Sequence, residues 1–508
     1  MSSAVLSPLS PLQERWTSPG LFAVIALSAC TAPLLTVVNV TLTGDRLLGS
    51  AAVIAVAAMA AARALHWTAI HTAVAVFAGI QVLTSLAAVS AWPAGPRFAA
   101  VYVFGFASFA LAAELARRAR DPWTGARVWI ALGAIFGLAG AGVAFVANLR
   151  QVDLWGSGHA ATVRARGCVQ LVLYAAKLTF GEWNLYSSFL LVAFALSLWW
   201  WRSGAAPPWR YGIGSVALGA IVLGLVFGMT RAAWIGMAAL IVLWAWARRP
   251  GWRATGALAG LVIAGFAAQA AAIGQTPLYV RVVQPVLWGL DRNIEMRRLI
   301  NEATLESWRG APARAESGAH AGVPPTPRER DECQKFPGEV AKPRGVTAAP
   351  GPMPMEARAE GDPTGPAPTP TVTRPRARTR SQWQRQVLGN GAGSINALHI
   401  VPPGEAELEK PWNGNVLLFV LHDSGAVGLA SLAGLIVAVA LVARSALRRT
   451  GDPSGRALVV ASLGAGVALL FAYQFTHALW LMYPYVYLGL LSAALTRTTP
   501  VADVPALV

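Results

Sequence analysis

The stretch LYSSFLLVAFALSLWWWR, Leu185 to Arg202, holds no charged side chain until its last residue. Its first seventeen residues are apolar, aromatic or serine, about the length that a helix needs to cross the hydrocarbon of a bilayer. Trp199, Trp200 and Trp201 followed by Arg202 read as the aromatic belt and charged stop of a membrane interface. Working outward, runs of the same kind recur on both sides. Five precede it, at about Leu21–Val40, Leu47–Leu65, Trp67–Val89, Phe98–Leu115 and Trp129–Leu149. Three follow directly, at about Tyr211–Gly228, Ala232–Trp246 and Ala254–Ile273, and three more come late, at about Gly425–Val442, Ala457–Tyr473 and Leu479–Leu495. The expectation is an all-α polytopic membrane protein of about twelve spans. One apolar run, Gln170–Ala176, is too short to cross and reads as interfacial or re-entrant.

Composition agrees. The 508 residues are 55% hydrophobic and 13% charged, about half the charge of a soluble protein. Twenty tryptophans fit a chain with many interfaces. The net charge of +17 falls largely in short basic loops, so it points to anionic lipid and an anionic substrate rather than to nucleic acid. Three cysteines make no disulfide framework, although Cys168 and Cys333 would both face outward and leave one bridge open. The first apolar run lacks a small-residue cleavage site and reads as an anchor.

A polar insert, Thr276 to Pro411, interrupts the runs. The expected organisation is a membrane bundle of about nine spans at 1–273, a large extracytoplasmic loop at 274–411, a bundle of about three spans at 412–496 and a tail at 497–508. The middle of the loop, about 310–381, is rich in Pro, Ala, Gly, Arg and Thr and reads as disordered. With the N-terminus inside, Arg117/Arg118/Arg120, Arg202/Arg210, Arg248/Arg249/Arg253 and Arg444/Arg448/Arg449 all fall in cytoplasmic links. The insert then faces outward and both termini lie in the cytoplasm.

This orientation selects the outward polar residues. Arg231 sits between two apolar runs with almost no loop, as a snorkelling tether or as a clamp for a phosphate. The segment from Asp291 to Leu305 has an amphipathic helical pattern and would present Arg297 or Arg298 to a headgroup, or place them on a solvated face. Arg164 and Arg166 precede Glu182 and Asn184. Asn184 stands where a helix cap would, and Glu182 would pair with an outer arginine or take a proton from a sugar hydroxyl. Gly389-Asn390-Gly391-Ala392-Gly393-Ser394 reads as a flexible turn. His422 beside Asp423 offers a proton-transfer pair, though neighbours on a helix do not face each other, so a structural role for His422 stands beside it. No metal-ligand spacing and no nucleotide fingerprint is present, and no cofactor is expected.

Four features resemble the O-antigen ligase and polysaccharide polymerase superfamily of bacterial inner membranes. Thr179-Phe180-Gly181-Glu182-Trp183-Asn184 is similar to the family's Gly-Thr-Phe-x-x-Pro-Asn, with Leu178 and Trp183 departing from Gly and Pro. Thr230-Arg231-Ala232-Ala233-Trp234 is close to its Ser-Arg-Gly/Ala-x-Trp. The late loop opens with an Arg-bearing helix and closes on Leu388-Gly389-Asn390-Gly391. Asn415, followed by Asp423-Ser424-Gly425, looks like the family's His-Asn…Glu-Thr-Gly, with Gly414 standing where the ligases have histidine. The resemblance spans about 160–440.

It implies transfer or polymerisation of a glycan carried on undecaprenyl pyrophosphate, at the outer face of the cytoplasmic membrane, onto a glycan or lipid-linked acceptor. It implies Arg231 and Arg297 as pyrophosphate clamps and Glu182, His422 or Asp423 as the proton acceptor. Arg164, Arg166, Asn184, Arg298 and Asn415 would bind substrate. Membrane lipids and polysaccharide-assembly proteins are the other expected partners. The runner-up expectation is a secondary transporter or lipid-linked glycan flippase, and a third is a non-catalytic scaffold.

Overall fold

The computed structural model describes residues 11–37, 40–88, 94–165, 168–201, 208–248, 252–273, 292–309, 381–397, 414–476 and 479–497. Among these residues the chain forms fourteen helices and two small hairpins. The helices are α1 (Pro11–Ser28), α2 (Gly44–Ala61), α3 (Ala69–Ala87), α4 (Gly95–Arg118) and α5 (Thr124–Arg150). Next come α6 (Trp183–Trp201), α7 (Pro208–Phe227), α8 (Arg231–Arg248) and α9 (Trp252–Ile273). The insert contributes α10 (Arg292–Arg309) and α11 (Gln382–Leu388), and the C-terminal part α12 (Val416–Arg449), α13 (Pro453–Ala472) and α14 (Tyr483–Arg497).

Eight of them, α2 to α6, α9, α12 and α13, are long and apolar enough to cross a bilayer. The chain is therefore a multi-pass helical membrane protein. The apolar parts of α1, α7 and α8 are shorter, at Thr17–Ser28, Gly212–Phe227 and Arg231–Ala247.

The helix α6 lies at the centre, with 83% of its apolar window buried. It is apolar around its whole circumference, so no face of it needs water. It packs against α5, α7, α8 and α13. Trp129 of α5 stacks on Phe189 at 4.6 Å and donates its indole N–H to the Phe189 carbonyl at 3.2 Å. Around this centre α4 packs on α14, and α3 on both α4 and α12. Asp452 caps α13, accepting from Ser454 N at 3.1 Å and Gly455 N at 2.7 Å, with Pro453 in the first turn.

The structure gives more detail at three of the expected apolar runs. The first run ends as a helix at Ser28, and its remainder forms β1 (Pro33–Val37) paired antiparallel with β2 (Val40–Thr43). Pro33 cannot continue a helix, and the β-branched residues after it favour strand. The run Gln170–Ala176, read as interfacial or re-entrant, forms a strand. It belongs to β4 (Cys168–Ala176), which pairs with β3 (Ser157–Ala165) from Ser157 opposite Ala176 to Ala165 opposite Cys168. Asn148 at the end of α5 docks this hairpin, donating to Tyr174 O at 2.7 Å and accepting from Tyr174 N at 3.0 Å. The tenth run starts earlier than expected. Its helix begins at Val416 and bends at Gly425, where φ is 64° and ψ −163°.

The expected disordered middle of the insert, Cys333 of the proposed bridge and the tail after Arg497 lie outside the described residues.

Candidate functional site

The first of the family-like motifs follows β4 directly. Its backbone turns sharply, with Leu178 at φ 43° opening a single 3-10 turn at Leu178–Phe180 and Gly181 at φ 71° following it. Two anchors hold that turn. The end of α1 grips Thr179: the amides of Thr31 and Ala32 both donate to Thr179 O, at 2.9 and 2.7 Å, and Thr179 Oγ1 donates to Ala29 O at 3.0 Å. Phe180, 1% exposed, packs between Phe136 and Phe189, with ring centroids at 5.7 and 5.2 Å. Glu182 is thereby presented at the head of α6 on a rigid mount.

Asn184 does not cap α6 as expected, because the helix already begins at Trp183. Its amide nitrogen donates to Glu182 Oε1 at 2.7 Å, and its amide oxygen faces Thr230 Oγ1 at 3.3 Å. A carboxylate accepts only, so this contact sets the amide orientation. Thr230 Oγ1 also lies 3.1 Å from Gly228 O and has one proton for the two acceptors. Asn184 therefore bridges the first motif to the second.

The second motif closes a three-residue link from α7 to α8, in which Met229 takes φ 49°. Trp234 locks the link, donating its indole N–H to Leu225 O at 3.0 Å and meeting Phe266 of α9 edge-on at 5.1 Å. Arg231 opens α8 and is partly exposed, beside the buried Thr230. A guanidinium at a helix N-terminus adds its charge to that of the unsatisfied amides, and the pair favours an anion.

The third and fourth motifs meet at Arg297. From α10 its Nη1 donates to the carbonyl of Phe475, in the turn after α13. Its charge also acts on Glu182. Burial pushes the Glu182 carboxyl above the usual range, while the Asn184 hydrogen bond and the Arg297 charge pull it back. Gly414 fills the remaining space. A Cβ on it would lie 2.0 Å from Phe475 O and 3.0 Å from Arg297 Nη1. The fold thus leaves no room for a side chain at position 414.

His422 and Asp423 belong to a second group. They face each other, Nδ1 to Oδ1 at 3.1 Å, contrary to the helical expectation. Both residues lie in the helical turn just before the bend at Gly425, and the segment wrapped around that bend holds the pair. Gly391 N donates to Asp423 O at 2.8 Å, Gly393 N to Asp423 Oδ2 at 2.6 Å, and Ser394 Oγ to Asp423 Oδ1 at 3.2 Å. Ser307 Oγ of α10 reaches His422 Nε2 at 3.1 Å. The two side chains are 1% and 0% exposed. The Gly389–Ser394 segment, expected to be a flexible turn, is a clasp around the bend, and His422 with Asp423 forms its buried core. A Cβ on Gly425 would lie 2.4 Å from the Val387 carbonyl carbon, so the clasp closes on bare backbone.

The other sequence candidates separate. Arg298 is 78% exposed and pairs with Glu302 one turn on at 2.7 Å, a solvated ion pair. Asn415 caps α12, accepting from Leu417 N at 3.0 Å and Leu418 N at 3.2 Å. The backbone of Arg164 lies in β3 opposite Val169, and its side chain and the whole of Arg166 lie outside the described residues. The sequence reading missed Thr230 and Gly414. Thr230 was visible only as the residue before Arg231, and Gly414 only as a departure from a pattern.

Fold and site together define a multi-pass helical membrane protein in which a half-buried carboxylate, set by an asparagine, feels the charge of an arginine on α10. Compared with known proteins, the chain matches no family model and no curated protein sequence.

Proposed function

We propose that the chain is a glycan transferase that takes its donor from a polyprenyl pyrophosphate and transfers it, or polymerises it, at the outer face of the cytoplasmic membrane. One observation carries this reading: the four resembling motifs, spread from Thr179 to Gly414, converge on one site. Asn184 joins the first to the second, Arg297 acts on Glu182 of the first, and Gly414 of the fourth abuts Arg297. In this reading twelve helices span the membrane with both termini inside, and the insert faces outward.

The chemistry follows from the groups. An acceptor hydroxyl oxygen attacks the anomeric carbon, and the bond from that carbon to the pyrophosphate oxygen breaks. The hydroxyl proton passes to Glu182, whose burial strengthens it as a base. The electron pair leaves with the pyrophosphate, where Arg231 and Arg297 offset the growing charge. Asn184 is a positioning residue for Glu182. His422 and Asp423 are assigned to the clasp rather than to catalysis, since both are closed to solvent.

The test uses purified protein in liposomes with a lipid-linked oligosaccharide donor and a glycan acceptor. The expected result is a transferred or lengthened glycan with release of polyprenyl pyrophosphate, abolished in Glu182→Gln. Movement of intact donor across the bilayer with its pyrophosphate bond unbroken would overturn the reading in favour of a flippase.

A further inference from the structure

An apolar cavity of about 220 Å³ opens between α3, α12, α13 and α14. Phe77, Leu435, Val439, Leu470 and Leu488 line it. An engineered cavity of about 150 Å³ with such a lining holds a benzene ring and stays dry, so this one has room for a longer piece of hydrocarbon. It is open at the side. Ile436 and Val467, also in its lining, are 40% and 64% exposed on the apolar outer faces of α12 and α13.

One end of the cavity runs up to the site. Val416 and Tyr473 belong to its lining and are joined by a hydrogen bond from Val416 N to Tyr473 O at 2.8 Å. Val416 is two residues after Gly414, and Tyr473 is two residues before Phe475. Gly414 and Phe475 are the two groups that abut Arg297. Two residues of chain span about 7 Å at most. The Arg297 guanidinium, whose charge acts on Glu182, therefore stands close to the end of an apolar slot that opens at the side of the bundle.

We infer that this cavity holds the polyprenyl tail of the donor lipid, with its pyrophosphate at Arg297. The inference rests on the transferase reading for the identity of the lipid. Its occupant must be amphiphilic, with an anionic head at the arginine and a tail of pure hydrocarbon. The slot gains little hydrophobic energy, because the tail leaves one apolar medium for another. What it provides is registration: a tail seated between α12 and α13 fixes how far the headgroup reaches toward Glu182. Shape then discriminates, and a branched chain passing the rings of Phe77 and Tyr485 packs differently from a straight acyl chain.

The experiment uses the full-length protein in nanodiscs with a polyprenyl pyrophosphate that carries a diazirine in its tail. Labelled residues are mapped by mass spectrometry, with unlabelled polyprenyl pyrophosphate or phosphatidylglycerol as competitor. Labels should map to α12 and α13 around Val439 and Leu470 and be displaced by the polyprenyl lipid alone. Ala440→Trp, at a lining position on the lipid side, should cut labelling at least fivefold, and Ile213→Trp, on the exposed face of α7, should leave it unchanged. Equal displacement by phosphatidylglycerol would mean an ordinary bilayer lipid and would overturn the assignment. So would labels confined to other helices, or full labelling in Ala440→Trp. Labelling that behaves as expected in a protein without transfer activity would retain the tail site and reject the transferase reading. Transfer with labels elsewhere would do the reverse.

Discussion

Gly414→Ala isolates the site from the fold. The added methyl would stand 2.0 Å from the Phe475 carbonyl oxygen, where real contacts of this kind begin at 3.0 Å. That oxygen is backbone and also holds Arg297, so a retreat of about 1 Å carries the guanidinium with it. Misplacing a catalytic group by about 1 Å costs roughly 100-fold in rate, or about 2.7 kcal/mol of barrier. Overpacking at one position costs about 1–3 kcal/mol of stability, which a multi-pass protein absorbs. Gly414→Ala should therefore insert normally and transfer about 100-fold more slowly, read as product per inserted protein from purified lipid-linked donor. Gly434→Ala is the matched control, since nothing lies within 4 Å of a Cβ there. It should transfer at the normal rate. Normal transfer by Gly414→Ala would show that the Phe475–Arg297 contact does not position the reacting groups.

Four further outcomes are expected. Arg231→Ala should insert, accumulate lipid-linked donor and lose about 2–4 kcal/mol of barrier stabilisation, with Arg231→Lys recovering only part because it keeps the charge without the fork; near-normal turnover in the alanine variant would reduce Arg231 to an interfacial anchor. The pH–rate profile should have an acid limb set by Glu182, which must be ionised to accept a proton. Burial places that limb above the ordinary glutamate range, and Arg297→Gln, by removing a charge that lowers the pKa, should move it to higher pH, so an unmoved limb would separate the two residues. Gly425→Ala forces a side chain into a backbone region open essentially to glycine alone and should destabilise the protein by about 1–3 kcal/mol or more, read as a lower unfolding midpoint in detergent. In a cysteine-free background, Trp155→Cys should label from outside and Thr450→Cys should be shielded; the reverse pattern would turn the whole site toward the cytoplasm.

The sequence alone determined the class of this protein and the place of its helices. Hydropathy is a local property, and a helix satisfies its own backbone, so each of the twelve apolar runs has a helix at or near its expected position. Its limits showed where local signals compete. The runs Leu21–Val40 and Gln170–Ala176 are apolar, but strand pairing and Pro33 took part of the first and all of the second. Glu182, Arg231 and Arg297 were legible as polar residues in short motifs between apolar runs. Only the tertiary structure decided how they are placed relative to their partners. The bridge from Glu182 through Asn184 to Thr230 spans 46 residues between Asn184 and Thr230, and Arg297 bonds the Phe475 carbonyl 178 residues away. The same holds for His422 and Asp423, which a regular helix would keep apart. The Gly389–Ser394 clasp closes over them beside the bend at Gly425, with Gly393 N and Ser394 Oγ holding the Asp423 carboxyl. Such contacts depend on where the packing of α6 and α12 brings distant backbone, and no periodicity within either segment encodes that distance.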